Sequence, residues 1–184
     1  MKKYKYLILI SILVLILSSC KSSFTEADRT KLKDLQNELI NNNLVFKADA
    51  ALPFNSQAVN NAINDILIRN GNSASRISLS GDNYTLKIAG EKAVFNLPFY
   101  GERRTGGGYN DDNSFDFTGE IKNVSQSIVA DSNYISYEFD VRNDTESLSV
   151  ELKIFSRETA HLIINSSQRS YIKYDGHLNI EPTE

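Results

Sequence analysis

The sequence predicts a mainly β protein, an antiparallel meander of about eight or nine strands curled into a barrel or a sandwich, with an N-terminal amphipathic helix and one inserted helix. Three observations carry this. From Leu44 onward apolar residues recur at every second position in run after run, the period of a half-buried strand. The links between the later runs, residues 143–146 and 156–159, are short and turn-like, so consecutive strands pair antiparallel. A sheet of that many strands has to curl or split into two layers.

Before the strands, Thr25 stands three residues ahead of Asp28, a capping-box pattern with Asp in place of the preferred Glu or Gln, and Glu26 adds negative charge to the first turn. Leu32, Leu35, Leu39 and Ile40 follow at helical spacing up to the Asn41-Asn42-Asn43 run, so residues 25–43 are read as an amphipathic helix. Its charges nearly cancel, which suits a helix that covers the β domain or spaces it from the membrane better than one lying on anionic lipid. Leu44, Phe46, Ala48 and Ala50 then alternate with Val45, Lys47 and Asp49 until Pro53. Val59, Ala62, Ile63, Ile66 and Leu67 share one helical face, which predicts the inserted helix over residues 56–70, closed by Gly71. Further runs are Ile77 with Leu79, Tyr84 to Ile88, Ala93 to Leu97, Phe115 to Ile121, Ile135 to Val141, Leu148 to Ile154, Ala160 to Ile164 and Ile172 to Ile180.

The start of the chain is of another kind. Lys2, Lys3 and Lys5 precede an apolar run over residues 7–17 broken only by Ser11, and Ser18-Ser19 leads to Cys20, the only cysteine. Eleven helical residues rise about 16 Å, half of the ~30 Å hydrocarbon core, so residues 1–19 read as a cleaved secretory signal. Leu17-Ser18-Ser19-Cys20 resembles the bacterial lipobox, which implies diacylglycerol on Cys20 as the membrane anchor and residues 20–24 as a lipidated tether. Lys21-Ser22-Ser23 has neither an aspartate after the cysteine nor an acidic run, so the expected address is the outer membrane facing the periplasm, with surface exposure left open. Loss of Lys2, Lys3 and Lys5 takes the 20 basic side chains to 17 against 23 acidic ones, a net charge of −6. That balance argues against nucleic acid as a partner. With one cysteine no intrachain disulfide can form, and residues 44–184 must hold together by packing as a single β-rich domain.

Four stretches of this chain resemble a known family. They are Leu44-Val45-Phe46-Lys47-Ala48, then Leu97-Pro98-Phe99-Tyr100-Gly101-Glu102-Arg103 with Gly106-Gly107-Gly108-Tyr109, then Phe115-Asp116-Phe117-Thr118-Gly119, and the run from Asn165 to Gly176. In order and spacing they are similar to the uncharacterised lipoprotein family filed as domain of unknown function 4251, found mostly in Bacteroidetes. The resemblance covers residues 44–180. It implies a compact β-rich domain behind a lipoprotein signal and brings no activity, cofactor or catalytic residue with it.

The middle stretch is the expected binding site. Pro98 ends a strand, Gly101 and Gly106-Gly107-Gly108 make a freely turning loop, and Arg103 and Arg104 lie in it between Tyr100 and Tyr109. Arginine forks and aromatic faces hold carboxylates, phosphates or sugar rings. A solvated loop whose arginines pair with Asp111 and Asp112 is the plainer alternative. Other constellations are weaker. Asn110 to Asn113 with Asp116 offers oxygen ligands without the glycine and glutamate of a calcium loop. His161 and His177, the only histidines, fall on polar strand positions and are expected to be surface residues, so no metal is predicted. Arg169 is expected to pair with a carboxylate across the sheet. The expected function is therefore a non-enzymatic binding or assembly module with a glycan, lipid or protein partner in the envelope and no cofactor. The alternative is a hydrolase of envelope glycans using Glu102, Asp111, Asp112 or Asp116, which would need two of them fixed at ~5 to 9.5 Å.

Overall fold

The structure is a computed structural model that describes residues 25–54, 73, 75–104 and 114–183. Helix α1 (Glu26–Asn41) precedes nine strands: β1 (Asn42–Pro53), β2 (Ile77–Ser78), β3 (Thr85–Ala89), β4 (Lys92–Pro98), β5 (Ser114–Val129), β6 (Tyr134–Arg142), β7 (Ser147–Ile154), β8 (Ala160–Ser166) and β9 (Ile172–Pro182). β1 pairs antiparallel with β3, each strand from β3 to β8 pairs antiparallel with its successor, and β9 returns to pair with β1 from Asn42↔Pro182 to Pro53↔Ile172. The result is a closed eight-stranded antiparallel barrel. Two-residue β2 is the extra strand, attached to β1 at Ala50↔Ser78 and Ala51↔Ile77. Closure removes the free edges that an open sheet would leave, which decides the barrel over the sandwich.

The alternation read from the sequence is the inside–outside alternation of the barrel. Phe46 faces Leu86 and Leu178, Phe95 faces Phe117, Phe139 faces Val150, and Leu162 faces Tyr174 across the ladders. These inward residues fill the barrel as one continuous core. The pattern breaks where strands bulge. Between Ala48 and Ala50 the β1–β9 register shifts, and the inward phase passes to Ala51 and Pro53. β5 is longer than its apolar run: a second bulge between Lys122 and Ser125, with Asn123 at φ 54°, carries the strand on through Val129. That continuation has few apolar residues and hides from a period-two reading. Gly90 takes φ 56° in the β3–β4 turn, where a side chain would be strained.

Helix α1 closes one end of the barrel. Thr25 Oγ1 accepts the Asp28 N–H at 3.2 Å while Asp28 Oδ2 accepts the Thr25 N–H at 3.1 Å, so the capping box forms with its aspartate. Leu32 and Leu39 are buried against the barrel, and Glu38 pairs with Arg157 of the β7–β8 turn. The helix stops two residues before the boundary expected at 43, because Asn42 and Asn43 are drawn into the β1–β9 ladder opposite Pro182 and Glu181. Among the described residues no helix is long and apolar enough to cross a membrane. The leader, Cys20 and the inserted helix expected at 56–70 lie outside the described residues.

Candidate functional site

The end of the barrel opposite α1 is where the chemistry gathers. There β4 ends at Pro98, and residues 101–104 cross the rim as a strap laid antiparallel on the β8–β9 connection. Ser170 N–H donates to Glu102 O at 2.7 Å, Arg104 N–H donates to Gln168 O at 2.7 Å, and Glu102 N–H donates to Ser170 Oγ at 3.0 Å. Gly101 is needed for close approach: a Cβ there would strike Ser170 Oγ and the Phe99 ring. This corrects the expectation of a freely turning loop for that residue, since the strap is held by backbone bonds.

Beneath the strap lies a buried ion pair. Arg169 Nη2 sits 2.8 Å from Glu146 Oε1, with side-chain exposures of 8% and 2%. Arg169 Nη1 donates to Ser114 O at 2.9 Å, and its guanidinium carbon lies 4.5 Å from the Phe115 ring centre and 5.2 Å from that of Phe99. Ser166 Oγ donates to Glu146 Oε2 and accepts the N–H groups of Gln168 and Arg169. Burial pulls the Arg169 pKa below its ordinary value, opposed by the charge of Glu146. The expected carboxylate partner of Arg169 thus exists, but it comes from the β6–β7 turn at the rim. Its sequence signal is slight, a lone glutamate inside a polar turn. Nearby, Tyr174 hydroxyl, wholly buried, donates to Pro98 O at 2.8 Å, and burial pushes its pKa well up.

Of the expected binding residues, Tyr100 immediately precedes the strap and Arg103 and Arg104 lie on it. Tyr100 and Arg104 are exposed, and Arg103 is half-buried and forms a backbone bridge with Arg169. Tyr109, and with it Asp111 and Asp112, lies outside the described residues. Of the other acids proposed for hydrolysis, Glu102 is in the strap and Asp116 points outward from β5.

A second feature adjoins the same rim. Where β5 parts from β6, a cleft of about 770 Å³ opens on the barrel wall between Glu120 and Lys122 on one side and Arg142, Ser149 and Asn165 on the other. A shallower recess at Phe117, Asn143 and Asp144 continues it, sharing Thr118 and Arg142. Ser166 connects this cleft to the buried pair.

The histidines are outward, as expected, and both are partnered. His177 Nδ1 lies 3.0 Å from Asp49 Oδ2, and His161 Nδ1 lies 2.9 Å from Asp175 Oδ1, which Lys173 also approaches to 3.1 Å. Desolvation pushes the His161 pKa below 6.5, helped by Lys173 and opposed by Asp175. Its folded-state pKa is therefore lower than its unfolded one, and the unfolded chain takes up the proton first as pH falls. Stability contributed by neutral His161 is present above pH 6.5 and is lost on acidification below it. The melting temperature is expected to drop across that window and the drop to shrink in His161→Gln; equal slopes in the two proteins would refute the linkage. Among the described residues no cluster of His, Cys, Asp and Glu could hold a metal ion.

The strap, the Arg169 connection and β5 coincide with three of the four stretches that carried the family resemblance. A search of curated proteins finds no match. The model of a family described as a domain of unknown function, DUF4251, matches residues 26–178, most of the chain from the first turn of α1 into β9, and the protein belongs to that family.

Proposed function

We propose that this protein is a non-enzymatic binding or assembly module of the cell envelope, held by lipid on Cys20 at the outer membrane and facing the periplasm, with a glycan, lipid or protein as its partner. The observation that carries the reading is the packed barrel. Phe46, Phe95, Phe139 and Tyr174 fill the space in which ligand-carrying barrels keep their cargo, so recognition falls to the rim and the outer wall. There the strap offers Tyr100, Arg103 and Arg104, and the wall offers the cleft beside β5. The polarity of the fold supports the same reading. Cys20 lies five residues before the N-cap of α1, and α1 covers the end of the barrel opposite the strap, so a short tether turns the strap away from the lipid.

Two measurements on the full chain test this. Cys20→Ser is expected to move the protein from the membrane fraction to the soluble one and to abolish labelling with radioactive palmitate; retention on the membrane refutes the anchor. The detergent-purified chain is expected to show a rise in melting temperature with one of a panel of muropeptides, envelope glycans and fatty acids, lost in Arg103→Ala/Arg104→Ala. A rise that survives the double substitution moves the site off the strap.

A further inference from the structure

We propose that the edge of β5 between Asp116 and Glu120 is a docking site for a short, extended, basic peptide segment, which adds as a strand alongside β5. This rests on the binding-module reading and names its partner class. β5 has two unlike halves. Residues 114–120 pair only with β4, and residues 121–129 pair with β6. Because β6 ends at Arg142 and turns away, the first half of β5 has no strand on its other side among the described residues, although the barrel as a whole is closed.

The direction of the backbone groups follows from two bonds. Ile121 N–H donates to Glu91 O, toward the β4 side, so the odd-numbered residues of this half bond to β4. Ser114 O instead accepts from Arg169, on the other side. In a strand the backbone groups alternate in direction, so the N–H and C=O of Asp116 and Thr118 and the N–H of Glu120 face away from β4, while Glu120 C=O is taken up where the β5–β6 ladder begins at Ile121↔Val141. Among the described residues no strand is paired with Asp116 and Thr118 on that side. Pro98 agrees with this phase: it stands opposite Ser114, where β4 needs no N–H directed at β5.

The window is bounded at both ends. Past Glu120 the β5–β6 ladder closes it at Ile121↔Val141. Before Asp116 the Arg169–Glu146 pair fills the space between Ser114 and the β6–β7 turn. Between these limits five residues span about 14 Å, and the cleft with its adjoining recess opens along four of them, Phe117 to Glu120. Donor and acceptor pairs repeating every second residue match the backbone of an extended peptide; neither a sugar nor an acyl chain presents that repeat. The cleft and recess carry Glu120, Asp140 and Asp144 against Lys122 and Arg142, and exposed Asp116 lies just beyond on β5, an excess of negative charge that favours basic side chains. The same excess, on a mature chain of net charge −6, opposes a second copy of this chain on the edge.

The test uses the full chain in detergent with the capped pentapeptide Lys-Val-Lys-Val-Lys, its form N-methylated at alternate amides, and Glu-Val-Glu-Val-Glu. The basic peptide is expected to slow amide exchange at Asp116, Thr118 and Glu120 by about tenfold or more, leaving the already bonded Phe115 and Phe117 unchanged, while the other two peptides do nothing. Thr118→Pro removes one cleft-facing donor without touching a β4 bond and should weaken binding about fivefold to tenfold; Thr118→Val should bind as the parent does. If Thr118→Pro does not fold, the N-methylated peptide decides the matter on the unaltered chain. Equal binding of the N-methylated peptide overturns strand addition, as does slow exchange of the three amides without peptide, which would mean that the chain itself or a second copy fills the edge. Protection at residues 101–104 instead overturns the edge while leaving the binding-module reading intact, and absence of binding overturns the edge alone, since the strap screen tests that reading separately.

Discussion

Replacing Arg169 by alanine is expected to destabilise the protein by about 3–5 kcal/mol, the cost of leaving a buried charge without its partner. Glu146 would keep only Ser166 for its carboxylate, at 2% side-chain exposure. Ser114 O and the faces of Phe99 and Phe115 would lose their cation in the same step. Lysine should not rescue the site, because a single ammonium cannot reach Glu146 and Ser114 O together and stack on two rings. Exchange of both partners in Glu146→Leu/Arg169→Met should restore most of the loss, since burying the pair already costs desolvation. Urea titration reads all four proteins. An Arg169→Ala midpoint no lower than that of exposed Arg104→Ala would show that the pair is dispensable.

Phe95→Ala is expected to cost a similar 3–5 kcal/mol for a different reason. Phe95 has no exposure, sits on β4 between Leu86 of β3 and Phe117 of β5, and stacks on the Phe117 ring at 4.7 Å between centres. Closed walls on every side prevent collapse into the vacated space, so the cavity term adds to the lost transfer energy. Its sequence neighbour Val94 points outward at 41% exposure, and Val94→Ala should change stability by no more than about 0.5 kcal/mol. The contrast between adjacent residues tests the inside–outside phase of β4 directly. Comparable losses at the two positions would mean that the phase is wrong.

The parts of this fold that could be read in advance are those with a local physical cause. Leu148 to Ile154 and Ala160 to Ile164 alternate because one face is buried, and the turn between them is too short for anything but a hairpin. Thr25 and Asp28 cap a helix within four residues of chain. The departures also have causes. A bulge costs one residue of register and leaves no mark in composition, so the shift at Ala48–Ala50 and the long reach of β5 past Asn123 were hidden. Of the candidate site, Tyr100, Arg103 and Arg104 could be picked out by residue type. Glu146 could not, because a glutamate in a polar turn looks like any solvated charge until Arg169, 23 positions later, is brought over it.

The sequence by itself determined the strand period, the antiparallel order and the capped helix, all properties of neighbouring residues. Tertiary structure alone decided that β9 closes on β1, that α1 and the strap take opposite ends, and that β5 is left half paired. These depend on residues far apart in the chain meeting in three dimensions, as Asn42 and Pro182 do in the closure and Glu102 and Ser170 in the strap. No local pattern encodes such a meeting, because the free energy that selects it comes from burying the whole inner face at once.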